Sequence, residues 1–132
     1  MRELDVSLVT AEVRRLCIES NRVLPADLEE TIRRARRTET SPTGRDILGD
    51  LCDNMDAARK MNLPVCQDTG MAVVFADVGQ ELHFTGGSFE DAVNEGVRRG
   101  YTEGLLRCSV ARDPLRRCLL YTSDAADDLL CV

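Results

Sequence analysis

A thiol, a carboxamide and a carboxylate stand side by side at Cys66, Gln67 and Asp68, within the stretch LPVCQDTGMAVVF. A thiolate is a ligand for soft metals and iron–sulfur clusters. The amide of Gln67 can both donate and accept hydrogen bonds, and Asp68 can act as an acid or a base. Pro64 stiffens the approach to this triplet, and Gly70 permits a positive φ just after it. Cys66 is therefore expected on a short, stiff loop at the mouth of the apolar run that follows. Such loops are where ligands and catalytic groups concentrate. A metal, an orienting amide and a proton carrier could share this loop. On chemistry alone an ordinary turn is the commoner meaning of a lone Cys-Gln-Asp sequence. A non-catalytic helical interaction domain is the alternative it leaves open.

The other candidate groups are sparse. Cysteines occur at 17, 52, 66, 108, 118 and 131 with no CxxC pair, and His83 is the single histidine. A zinc site built from this chain alone is not expected. Cys17 and Cys52 fall on or beside apolar helical stripes and read as small buried hydrophobes. His83 reads as a strand surface residue. Arg33, Arg34, Arg36 and Arg37 alternate with acids and read as a solvated helix face. The net charge of -6 argues against nucleic acid as a partner. No apolar run reaches the about 20 residues that span a bilayer, and MRELDVSLVT lacks a signal-peptide core, so no membrane association and a cytoplasmic location are expected.

The elements that must position the loop read as α+β. A helix is expected from about Ser7 to Arg22, with Val9, Val13, Leu16 and Cys17 on one face. A second begins at Pro25, with Leu28, Ile32 and Ala35 inward. TETSPTG is a turn. Ser41 then caps a third helix that Pro42 opens and that runs to about Met61, its apolar positions being Ile47, Leu48, Leu51, Met55 and Ala58. Met71 to Val78 reads as a strand, Gly79-Gln80 as a turn and Glu81 to Thr85 as a second strand, together a short β-hairpin. Gly86-Gly87 breaks it. Ser88 caps a fourth helix, with Phe89, Ala92, Val93 and Val97 inward and Gly96 and Gly100 four apart, reaching about Leu105. The set is a helical layer, a hairpin and a helix, a fragment of a larger domain.

The end of the sequence, CLLYTSDAADDLLCV, has no basic residue and no clear amphipathic period. One frame of a widely used transposase sequencing adapter translates as CLLYTSDAAD followed by Asp or Glu. Residues 1–117 are therefore expected to be the natural protein and residues 118–132 a non-native tail.

CQDTG with its apolar run, then GQ, GGS and the helical NEGVRRGYTEGLLR, resembles the α-type catalytic region of class I iron–sulfur hydro-lyases. These are the class I fumarate hydratases and the related L-tartrate dehydratases. The similarity extends from MRELDVSLVTAEVRRLCIESN to SVARDPLRR. The resemblance implies that Cys66 is the first of three cysteines holding a [4Fe-4S] cluster, the other two lying on sequence this chain does not contain. It implies that Gln67 and Asp68 line the substrate site, with Asp68 the candidate for proton transfer. It matches Arg107 to an arginine that pairs with a substrate carboxylate, a role suited to the planar fork of guanidinium. Cys108 takes no ligand role. The implied activity is addition or removal of water on a small hydroxy-dicarboxylate, fumarate and malate ahead of tartrate. A β-type subunit or domain is the implied partner, and an oligomer the implied assembly. The fragment alone is expected to be inactive.

Overall fold

A computed structural model describes residues 2–108, and the backbone alone of 111–113 and 118–119. The chain forms two compact units, Met1–Ile18 with Gln67–Val132, and Glu19–Cys66.

In the first unit, β1 (Arg2–Asp5) leads directly into α1 (Val6–Arg22), whose residues as far as Ile18 belong to this unit. The Asp5 carboxylate accepts the Ser7 N–H at 2.8 Å and so caps α1. The Ser7 hydroxyl, and then this N–H, hold its pKa below the usual carboxylate value. β2 (Leu82–Thr85) runs parallel to β1, with Arg2 opposite Leu82 and Asp5 opposite Thr85. Gly86 follows at φ 84, its α-carbon so near the Asp5 carboxylate that a Cβ would stand 3.0 Å from Oδ2. Ser88 then accepts the Asp91 N–H and starts α4 (Phe89–Glu103), with Glu90 and Asp91 at its positive end. The Phe84 and Phe89 rings meet at 4.9 Å across this turn.

The α1–α4 contact forms the core of this unit. Val13, Cys17, Tyr101 and Leu106 are buried together, with Val9, Ala72, Val93, Val97 and Cys108 packed around them. Two glycines permit the approach. A Cβ on Gly96 would stand 2.7 Å from Val13 Cβ and 2.9 Å from the Thr10 carbonyl, and one on Gly100 would stand 2.6 Å from Cys17 Cβ. The Thr10 hydroxyl donates to the Ala92 carbonyl at 3.0 Å across the same seam, and Arg14 pairs with Glu103.

The second unit contains the end of α1, α2 (Ala26–Thr38) and α3 (Pro42–Met61). Acids open α2 and arginines close it, as the helix dipole favours. Ser41 accepts the Gly44 N–H, and Pro42 occupies the first turn of α3, where a missing N–H costs nothing. Gly49, Cys52, Met55 and Ala58 form the buried face of α3. Glu29, half-buried on α2, accepts from Arg33 and from Arg59 of α3, while Arg33 also donates to Asp56 at 2.6 Å. The left-handed Asn62 (φ 56) ends the helix, and Leu63 N–H returns to the Ala58 carbonyl. The arginine-rich face thus alternates with acids as expected, although Arg33 is held between two helices rather than simply solvated.

The α+β order of three helices, a short sheet and a fourth helix agrees with the sequence. The hairpin does not form. β2 pairs instead with β1, a parallel strand at the start of the sequence, and residues 71–79 have no regular structure. The sequence Arg-Glu-Leu-Asp of β1 carries no strand signal. The run MAVVFADV is β-prone, yet a strand needs a ladder partner and none of the described residues supplies one. Phe75 is 93% exposed, and only Ala72 of the run packs into the core. The inner faces also differ from the expected stripes: Leu16, Leu28, Ile47 and Leu51 are exposed. In α3 the buried face is rotated toward Cys52. Ala111–Asp113 and Cys118–Leu119 pair as short antiparallel strands, β3 and β4. The rest of the expected non-native tail lies outside the described residues.

Three outcomes follow from these contacts. Gly96→Ala and Gly100→Ala should each lower the urea midpoint, because overpacking of about 1–3 kcal/mol exceeds the helix-propensity gain of about 1 kcal/mol. Gly79→Ala, with nothing within 4 Å of the added methyl, should leave the midpoint unchanged or raise it. Glu95 accepts from Arg98 and Arg99, which bring its pKa down to about 2. A lowered pKa stabilises the fold above the unfolded carboxylate value. Glu95→Gln should therefore flatten the part of the stability curve that falls as pH drops from about 4.5 toward 2.

Candidate functional site

The loop of interest is fastened on both sides. Before it, the two backbone polar groups of Val65 are both held. Its N–H donates to the Asn21 carbonyl at 2.9 Å, and its carbonyl accepts from Asn54 Nδ2 at 2.8 Å. Asn54 projects from α3, and the Asn21 backbone carbonyl belongs to the last turn of α1, so the chain reaches Cys66 from a fixed point in the second unit. Cys66 is exposed, whereas Cys52 is 1% and Cys17 8% exposed. Burial pushes the Cys17 thiol pKa up, away from thiolate. The sequence reading of Cys17 and Cys52 as core residues holds. Cys108 is half-buried against the core of the first unit. All four are thiols rather than disulfides.

After Cys66, Gln67 and Asp68 are exposed. Gly70 has φ 65 with open space where a Cβ would stand, so the residue is glycine for its backbone conformation and not for room. Two hydroxyls then secure the loop within the first unit. Thr69 Oγ1 donates to the Arg107 carbonyl at 2.6 Å, and Tyr101 Oη donates to the Gly70 carbonyl at 3.1 Å. Burial raises the Tyr101 pKa, with smaller contributions from the thiols of Cys17 and Cys108, so the phenol stays protonated and able to donate at neutral pH.

The end of α4 explains why Arg107 is where it is. Leu106 N–H bonds to the Tyr101 carbonyl at 2.9 Å and Leu105 N–H to the Thr102 carbonyl at 3.4 Å, the paired bonds of a Schellman motif. The left-handed position is usually glycine, but here it is Leu105, at φ 55 and 84% exposed. That conformation costs a leucine about 1–2 kcal/mol. Leu106 is buried beside Tyr101 in the core and offsets the cost. Arg107, the next residue, emerges exposed.

The structure thus brings the loop bearing Gln67 and Asp68 together with Arg107 inside one unit. Cys66 adjoins the loop covalently but is the last residue of the other unit. His83 is exposed on β2, as expected of a strand surface residue. Among the described residues no group of three or more His, Cys, Asp and Glu side chains is disposed to hold a metal ion. Cys66, by its exposure and its stiff approach, fits a single thiolate ligand. Sequence reasoning missed Asn54, Thr69 and Tyr101. Nothing in one sequence pairs residue 69 with residue 107; only the Thr-Gly after Asp68 marks the spot.

The chain matches the family described as Fumarate hydratase (Fumerase) over residues 10–119, and it belongs to that family. It is 36% identical over 85 residues to the aerobic class I fumarate hydratase of Escherichia coli K12, which covers 64% of this chain and 15% of that protein. It is 30% identical over 84 residues to the L(+)-tartrate dehydratase subunit alpha of the same strain, covering 64% of this chain and 27% of the relative. A Methanocaldococcus jannaschii protein, provisionally named as the same subunit, is 30% identical over 95 residues, 71% of this chain and 33% of its own length. The chain therefore spans between 15% and 33% of these relatives. No helix among the described residues is long and apolar enough to cross a membrane.

Among the cysteines with described side chains, thiol-selective alkylation of the native chain, read by peptide mapping, should modify Cys66 first. Cys108 should follow slowly, and Cys17 and Cys52 should react only in denaturant.

Proposed function

We propose that this chain is the N-terminal part of a [4Fe-4S]-dependent hydro-lyase that reversibly adds or removes water on a small hydroxy-dicarboxylate. Fumarate and malate are the favoured pair, supported by the similarity to a class I fumarate hydratase. L-tartrate is the alternative, supported by the similarity to the alpha subunits. The observation that carries the reading is the bond from the Thr69 hydroxyl to the Arg107 carbonyl, which ties the acid–amide loop to the backbone of Arg107, in a chain of the fumarate hydratase family.

In this reading Cys66 is one of three thiolate ligands, the other two lying on the part of the relatives' length that this chain does not span. When bound, the cluster supplies a Lewis acid for the substrate hydroxyl. Arg107 pairs with a substrate carboxylate and stabilises the negative charge that builds there as the neighbouring carbon loses its proton. Asp68 takes that proton, and Gln67 orients the substrate oxygens. The overall dehydration breaks one C–H and one C–O bond, forms a C=C bond and releases water. A β-type subunit or domain completes the enzyme, which is an oligomer.

The full-length protein that carries this chain, prepared anaerobically, should hydrate fumarate or dehydrate malate. Cys66→Ala should abolish the activity. Asp68→Asn should lower kcat on the order of 10²–10⁴-fold, the usual worth of a positioned acid–base group. Wild-type rates in Cys66→Ala and Asp68→Ala would return the chain to the non-catalytic helical module.

A further inference from the structure

We propose that Thr69 and Tyr101 are positioning residues, their hydroxyls fixing the loop that carries Gln67 and Asp68 at one place relative to Arg107. The proposal rests on the functional reading above and extends it to residues that touch no substrate. The two bonds grip consecutive residues of the loop. Thr69 reaches the Arg107 carbonyl, and Gly70 is held through its own carbonyl by Tyr101. Both anchor points belong to one short stretch, the last turn of α4 and the residues after it.

That stretch is itself immobilised. Tyr101 is 6% and Leu106 6% exposed, in the same core cluster. The Leu106 N–H to Tyr101 carbonyl bond closes the turn between them. Leu105 is kept in a left-handed conformation that leucine adopts only under constraint. Behind it, Gly104 leaves no space: a Cβ there would stand 2.9 Å from Ile18 Cγ1. A chain of packed contacts therefore runs from α1 through α4 to the backbone of Arg107, and from there through Thr69 to the loop.

The chemistry explains why such a clamp matters. Gln67 and Asp68 are exposed, and their loop has no ladder or helix bonds to hold it. The clamp sets where the backbone that carries Asp68 lies relative to the backbone of Arg107. A dicarboxylate bound at one end by arginine presents its reacting carbon at a fixed distance, so the acid must be at that distance too. Misplacement of a catalytic group by about 1 Å can cost on the order of 100-fold. Thr69 contributes only a hydroxyl to this. Valine keeps its shape and deletes the donor, and serine keeps the donor.

In the full-length enzyme, Thr69→Val and Tyr101→Phe should raise KM for the dicarboxylate and lower kcat/KM about 10- to 100-fold, with cluster absorbance unchanged. Thr69→Ser should restore most of the loss. Amide hydrogen exchange at residues 69–72 should quicken in Thr69→Val and not in Thr69→Ser. A purely structural role would reduce the amount of active enzyme, and so kcat alone. Wild-type KM and wild-type exchange in both Thr69→Val and Tyr101→Phe would overturn the proposal. A wild-type enzyme without activity on any dicarboxylate would overturn the functional reading and this proposal with it, and that result is seen before any substitution is made.

Discussion

How closely α4 can approach α1 sets the place of every group discussed for the first unit. Gly96 and Gly100 let the two backbones come so near that a methyl group at either position would collide with Val13, Thr10 or Cys17. Glycine in a helix interior costs about 1 kcal/mol against alanine, and α4 carries two. The cost is offset by the buried cluster that the approach creates. Tyr101 belongs to that cluster, so its hydroxyl has a fixed address. Leu106 belongs to it too, so Arg107 has one as well. The loop takes its position from both.

The second unit does the same for the other side of Cys66 by different means. It has a smaller apolar core, centred on Cys52, Met55 and Ala58, and a set of charged hydrogen bonds among Glu29, Arg33, Asp56 and Arg59. Exposed ion pairs contribute little each. Bonds that share a half-buried carboxylate specify register between α2 and α3 more than they add stability. From this frame Asn54 holds Val65, and with it the approach to Cys66.

Much of this was legible in the residues, for identifiable reasons. Ser41-Pro42 and Ser88 cap helices through local bonds, so their positions could be read directly. The burial of Cys17 and Cys52 followed from helical spacing. The fold class followed from the order of elements. What could not be read depends on contacts between distant residues. Polar Arg2–Asp5 becomes a strand because Leu82–Thr85 lies beside it, and the apolar run after Gly70 stays irregular for want of a partner. Leu16, Ile47 and Leu51 lie on apolar stripes, yet a stripe states a preference, and burial requires a neighbour. At the candidate site, the types of Cys66, Gln67, Asp68 and Arg107 were visible in the sequence, whereas the hydroxyls of Thr69 and Tyr101 that tie Gly70 and the Arg107 carbonyl in place were not. A threonine and a tyrosine reveal such a role only through the carbonyl they reach.

The Gln67–Gly70 loop is anchored to the last turn of α4 and the residues that follow it. Nuclear Overhauser contacts in the isotopically labelled chain measure this most directly. Cross-peaks are expected between the Thr69 methyl and Arg107 backbone protons, and between the Tyr101 ring and the Gly70 α-protons, alongside those joining Gly96 to Val13. Helix-to-helix cross-peaks with none between loop and helix would contradict it, because the glycine seam would then be intact while the loop it is said to position moved independently.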